Sequence, residues 1–160
     1  MVAVLGRFKV RYVLTGGVAA RLHGYPWMAA VVEIVPAIAP DDFEALATAL
    51  KHLSALIYTE GTPEGLPFET TADALARAAN WNFITSCGRL DVRFKPEGSD
   101  GYAALASSAE KFQLHGDAIL VASLADIVQM KEATGRAQER QEAVVLRELA
   151  RRTHGEGFRV

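Results

Sequence analysis

The chain has a single cysteine, Cys87, among 160 residues. No internal disulfide can form, and a reducing, cytoplasmic compartment is the simplest expectation. Neither sign of charge is in large excess: 17 Lys+Arg face 19 Asp+Glu, a net charge of -2. That balance argues against a general pull toward DNA, RNA or an anionic membrane. Long apolar runs are missing, and no stretch nears a membrane-spanning length without charges. Met1 to Leu5 is too short for a signal-peptide core and has no basic lead. His23, His52, His115 and His154 are scattered and Cys87 has no nearby partner, a pattern unlike a zinc site.

What remains is ordinary for a globular chain. Half of the residues are hydrophobic and 22% are charged, enough for one domain with its own core. Basic residues gather late (Arg136, Arg140, Arg147, Arg151, Arg152), interleaved with Glu139, Glu142 and Glu148. This mixture reads as a solvated helix face.

Periodicity sets out the elements. The run from Arg11 to Thr15, ended by Gly16-Gly17, predicts a buried strand, and Val18 to Leu22 a short helix stopped by His23-Gly24. Val31 to Val35, bounded by Pro36, is a second strand. Asp41 and Asp42 open a helix to about Leu53, with Phe43, Leu46, Ala47 and Leu50 on its apolar side. Ala55 to Thr59 reads as a strand, Glu60 to Pro67 as a loop, and Thr70 to Ala79 as a helix. Trp81 to Ser86 and Leu90 to Phe94 are strands around a turn at Cys87-Gly88-Arg89. Tyr102 to Lys111 is helical, and Phe112 to Leu114 and Ala118 to Val121 form either a small hairpin or two edge strands across Gly116-Asp117. Ser123 caps a helix to about Thr134, and Ala137 to Arg152 forms the last helix with Val145, Leu146, Leu149 and Ala150 inward. The expected architecture is α/β (α+β): one domain with a short mixed central sheet and helices packed on it.

Two acids stand out. Glu33 is the only charge in an apolar strand, and burying a carboxylate costs several kcal/mol unless it is paired or metal-bound. It serves either a metal site, or a salt bridge to Arg89 or Arg93. Asp91 lies in Leu90-Asp91-Val92-Arg93-Phe94, where alternation puts Leu90, Val92 and Phe94 on one face and Asp91 and Arg93 on the other. If the two strands are neighbours, the carboxylates converge; otherwise Asp91 marks an exposed edge. Gly16-Gly17 is either a plain strand-to-helix turn or a close backbone approach to phosphate oxygens.

These residues, in this order, resemble the nucleotidyltransferase superfamily, and most closely its small AbiEii-like and related members. Gly16-Gly17-Val18-Ala19-Ala20 with His23-Gly24 is similar to the first motif, and Glu33-Ile34-Val35-Pro36 to the end of the Asp-x-Asp strand. Gly88-Arg89-Leu90-Asp91-Val92 resembles the third-carboxylate strand. Val121 to Ile127, with Lys131 and Gly135-Arg136, resembles the helix-opening motif near the C-terminus. The likeness covers roughly residues 10 to 150.

The resemblance implies a nucleotidyltransferase-like domain in which three carboxylates hold two Mg²⁺ ions against a nucleoside triphosphate (NTP). It places Gly16 and Gly17 on the phosphates, and Glu33 and Asp91 as the second and third carboxylates, both metal-binding and catalytic. Lys131 and Arg136 are the further nucleotide-binding candidates. The first carboxylate falls on Val31, which cannot bind metal. Trp27 and Ala29 replace an arginine and a threonine usual in the closer relatives, and Glu139 and Glu142 stand where aspartates are common. Two divalent cations at about 4 Å repel by ~16 kcal/mol at an effective dielectric near 20, so losing one bridging acid weakens Mg²⁺-dependent transfer or ends it. Asp41 or Asp42 as a substitute competes with use as a helix cap.

Two functions follow from these expectations. One is NTP binding with weak or lost nucleotidyl transfer. The other is a non-catalytic protein that keeps the fold for a protein partner, such as the cognate member of a two-gene defence pair. Neither membrane nor DNA is an expected partner. Trp27 and Trp81 are expected in the core, with base stacking as the alternative, and His23 is expected to end a helix and pack.

Overall fold

The computed structural model describes residues 1–114 and 116–155; His115 lies outside the described residues. A short helix, α1 (Val2–Arg7), precedes the first strand and buries Leu5. β1 (Tyr12–Thr15) is buried at all four positions. α2 (Gly16–Leu22) begins at the glycine pair itself, two residues earlier than expected. β2 (Val31–Pro36) is followed by α3 (Pro40–His52), which starts on a proline with Asp41 and Asp42 in its first turn.

β3 (Leu56–Thr59) leads into β4 (Thr62–Leu66), where the sequence reading expected a loop. Pro63 and Gly65 suggest that loop, but β4 is the last strand of the sheet, and an edge strand tolerates a missing donor. Gly65 (φ +95°) also lets the backbone pass close to Leu56, whose Cβ lies 2.5 Å from where a Cβ on residue 65 would sit. α4 (Ala72–Leu75) is a single turn capped by the Thr71 hydroxyl, not the ten-residue helix expected from its alanines. Alanine propensity is a weak force without a continuous apolar stripe to bury.

β5 (Asn80–Thr85) and β6 (Gly88–Arg93) form the expected hairpin. α5 (Tyr102–Ser108) stops short of the expected end, because Glu110 and Lys111 enter β7 (Glu110–Leu114), which pairs with β8 (Asp117–Val121). α6 (Leu124–Ala133) is capped by the Ser123 hydroxyl, which accepts from the Asp126 N–H at 3.1 Å. α7 (Ala137–Gly155) ends the described chain. It buries Ala143 and Leu146 fully and packs Leu149 and Ala150 against the core, whereas Val145 is 45% exposed, contrary to expectation. Residues 143, 146 and 150 fall on one helical stripe, and position 145 turns about 100° away from 146. Among the described residues, no helix is long and apolar enough to cross a membrane.

Among the described residues, eight strands form one mixed sheet in the order β4-β3-β5-β6-β2-β1-β8-β7. β2 pairs parallel with β6, and β1 parallel with β8; the other neighbours are antiparallel. The expected mixed α and β architecture is therefore present, with a longer sheet than the sequence suggested. Alternation gives the centre of the sheet two unlike faces. On one, Leu14, Ile34, Val92 and Trp81 form a cross-strand row, next to Val32, Leu90 and Phe83. Leu14, Ile34, Leu90, Val92 and Phe83 have no solvent exposure. Trp81 stacks on Phe83 and donates its ring N–H to the Leu75 carbonyl at 3.0 Å, tying α4 to this face. The opposite face carries the polar residues described below. Trp27, expected in the core, is 65% exposed on the loop between α2 and β2.

Asp42 serves α3 as a cap. Its carboxylate accepts from the Ala39 N–H at 2.9 Å and takes two hydrogen bonds from Arg11, both 2.7 Å. The Arg11 hydrogen bonds hold its carboxyl below the usual range despite its burial. A lowered folded pKa contributes stability that is complete above the unfolded value of about 3.9 and is lost as pH falls through the folded value. Asp42→Asn should therefore cost about 1 kcal/mol at neutral pH, the usual worth of a cap. The gap between the two melting temperatures should be constant above about pH 5 and shrink below about pH 4. Thermal melts across that range check this, and a gap that widens in acid contradicts it.

Candidate functional site

Registers across four strands build the site. Thr15 of β1 faces Glu33 of β2, Glu33 faces Asp91 of β6, and Asp91 faces Asn82 of β5. One continuous row thus crosses the polar face of the sheet. Asn80 and Arg93 form the next pair on one side, and Val31 lies opposite Arg89 on the other. The row floors a cleft of about 600 Å³. One wall comes from Ile127, Met130 and Lys131 of α6 and from Thr134 just after it, with Arg136 and Glu139 beyond; Lys95, Pro96 and Glu97 form another.

Gly16 lies at the edge of this floor with φ +68°. A Cβ there would stand 2.1 Å from Glu33 Oε1 and 3.1 Å from Glu33 Cβ, so only glycine lets the Glu33 side chain lie where it does. Gly17 has a different reason. It does not line the cleft, and a Cβ on it would meet the Ala29 methyl at 2.9 Å. The Trp27–Ala29 segment, where the chain departs from the resembled motif, is therefore packed directly onto the glycine turn.

The two acids are side by side but differently served. Asp91 Oδ2 accepts from Arg93 Nη2 at 3.0 Å, and Arg89 Nη2 lies 3.6 Å from Oδ1. Among the described residues, Asp91 Oδ1 and Arg89 Nε, both buried, find no hydrogen-bond partner. The Arg89 guanidinium sits 3.6 Å above the Tyr58 ring, a cation–π contact. Arg93 is anchored further: Nη1 donates to the carbonyls of Trp81 and Val92 at 3.1 and 3.3 Å, and Nη2 to Asn82 Oδ1 at 2.8 Å. Among the described residues, Glu33 forms no ion pair. Burial raises its carboxyl above the usual range, and the Asp91 charge raises it further, against a smaller pull from Arg93 and Lys131. The salt bridge considered for Glu33 thus goes to Asp91 instead.

The other candidates are also occupied. Lys131 Nζ lies 2.5 Å from Glu142 Oε2. Burial would raise the Glu142 carboxyl, but hydrogen bonds from Lys131 and Gln138 outweigh it and lower it. Arg136 pairs with Glu139 at 3.5 Å, and Glu139 also accepts from the Thr134 hydroxyl. Asp42 is tied to Arg11 and, like Asp41, does not line the cleft. His23 closes α2 and bonds the Ala122 carbonyl at 2.8 Å, packed edge-on to Phe112. From the sequence Arg93 is a candidate partner for Glu33, and Asn82 carries no signal of its own. The period-two pattern that put Asp91 and Arg93 on one face was the signal that Arg93 belongs to the site.

The donor set does not fit the pair of divalent cations that the resemblance implies. Glu33 and Asp91 contribute two negative charges and Arg89 and Arg93 two positive ones, a sum of zero. A divalent cation about 4 Å from either guanidinium meets a repulsion of about 8 kcal/mol at an effective dielectric near 20. Val31 adds no ligand, and among the described residues no group of three or more His, Cys, Asp or Glu is placed to hold a metal ion. What the cleft offers is fixed hydrogen-bond acceptors on its floor and cations on its floor and walls. No protein-family model matches the chain, and no curated protein matches it.

Proposed function

We propose that this chain is a nucleotide-binding protein of the nucleotidyltransferase superfamily, AbiEii-like in its motifs, with Mg²⁺-dependent transfer weakened or lost. The observation that carries the reading is the register of β2 on β6, which sets Glu33 opposite Asp91 beside a glycine that makes room for Glu33. Two acids far apart in sequence meet in one cleft, at a cost to stability that a pure scaffold would not need. Arg93, Lys95, Lys131 and Arg136 supply the charge for a polyphosphate, and Glu33 accepts a hydrogen bond from a sugar or acceptor hydroxyl. Four acids (Glu33, Asp91, Glu97, Glu139) balance those four cations around the cleft, so binding is weak.

Thermal-shift titration with the four common NTPs and with pyrophosphate tests the reading. At a ligand excess of tenfold over Kd the gain is about 1.4 kcal/mol, which raises the melting temperature by about 3–6 °C. Lys131→Met should weaken that binding at least tenfold. The absence of any shift at millimolar triphosphate would sink the proposal. A second reading, a protein-binding module, is favoured by Trp27 and Met28, which are 65% and 85% exposed on a loop packed against the glycine turn. Trp27→Ser would leave a nucleotide titration unchanged and abolish binding to such a partner.

A further inference from the structure

Resting on the nucleotide reading above, one arrangement in the cleft separates this site from a metal-dependent one. Asp91 is held between Arg89 and Arg93, and the three side chains together carry one net positive charge. Glu33 beside the triad brings the sum to zero, so the floor lacks the net negative charge that gathers a divalent cation, while Arg93 presents its positive charge to the cleft. The Arg93 guanidinium is also immobilised. Four hydrogen bonds to Trp81, Val92, Asn82 and Asp91 fix it on the cleft floor, and its side chain is 25% exposed there. Its charge is therefore in place before any ligand arrives, with little left to reorganise on binding.

We infer that Arg93 takes the role a divalent cation would fill, so that the cleft binds a nucleotide polyphosphate without metal. Most of the Arg93 donors are already used inside the protein, so its contribution is a positive charge at a set position more than new hydrogen bonds. The substrate class is thus a free nucleoside triphosphate or pyrophosphate, not its Mg²⁺ complex. Asp91 acts as a positioning residue: it orients Arg93 and does not ligate a metal.

Calorimetric titration of ATP into the full chain, once with EDTA and once with Mg²⁺, tests the inference. The expected Kd in EDTA is no more than threefold weaker than in Mg²⁺. In Arg93→Met, binding in EDTA should fall at least tenfold and become Mg²⁺-dependent. Arg93→Lys, which keeps the charge, should stay within tenfold of the wild type in EDTA. A merely structural role for Arg93 predicts equal losses in both buffers. Should Arg93→Met fail to fold, Mn²⁺ titration of the wild type followed by electron paramagnetic resonance gives an independent answer, with no bound Mn²⁺ expected. Binding of ATP at least tenfold weaker in EDTA, or tight Mn²⁺ binding by the wild type, overturns the inference and leaves the nucleotide reading standing. No ATP binding in either buffer overturns the nucleotide reading itself, and the inference with it.

Discussion

Gly16→Ala should destabilise the protein by about 2–3 kcal/mol and drive Glu33 out of the cleft. Two costs add. Residue 16 has φ +68°, where a side chain costs roughly 1–2 kcal/mol. The new methyl would also sit 2.1 Å from Glu33 Oε1 and 2.5 Å from its Cδ, so the Glu33 side chain must leave its rotamer. The melting temperature should fall by about 4–10 °C, and triphosphate binding should fall with it if the Glu33 position matters. Gly17→Ala is the internal control. Its φ is not positive, and its new methyl meets only Ala29, so it should shift the neighbouring loop at a smaller cost. Equal effects of the two substitutions, or a Gly16→Ala protein that melts and binds like the wild type, would contradict the account of the turn.

Restoring the missing acid should succeed only when an arginine is removed as well. Position 31 faces Arg89 across the parallel β2–β6 pair. A carboxylate introduced by Val31→Asp therefore lies beside Glu33 but opposite a guanidinium. Arg89 balances the new carboxylate, so the single variant should change stability by less than about 1 kcal/mol. The local charge moves from zero to -1, too little to gather divalent metal in the absence of a polyphosphate. In Val31→Asp/Arg93→Met it reaches -2, from three carboxylates and Arg89. Without metal that variant should lose about 3–5 kcal/mol, the usual cost of leaving buried acids unbalanced. With millimolar Mg²⁺ it should recover most of that loss, because a cation that binds only the folded state stabilises it. Melting curves with EDTA and with Mg²⁺ decide the matter. A double variant indifferent to Mg²⁺ would mean that the acids do not converge on a common point.

Local pattern alone located much of the chemistry. An isolated acid in each of two apolar strands, a glycine pair between strand and helix, and a serine cap on α6 are all short-range signals. Strand alternation fixes which residues share a face, so Asp91 and Arg93 belonged together before any pairing was known. Alternation does not say which strand lies beside which. That β2 joins β6 in parallel, with Glu33 level with Asp91, was decided by long-range pairing around the β3–β4–β5 segment. The same pairing brought Arg89 and Arg93 to Asp91, left Glu33 without an ion pair among the described residues, and set Arg89 opposite Val31. Position in the sheet made a strand of Thr62–Leu66, because an edge tolerates the proline and glycine that read as a loop. Burial depends on which helix covers which face, and that left Trp27 in solvent and turned Val145 outward. The residues capable of chemistry could be picked out one strand at a time. Which charges cancel, and hence what the cleft can hold, depends on distances across strands that no local period encodes.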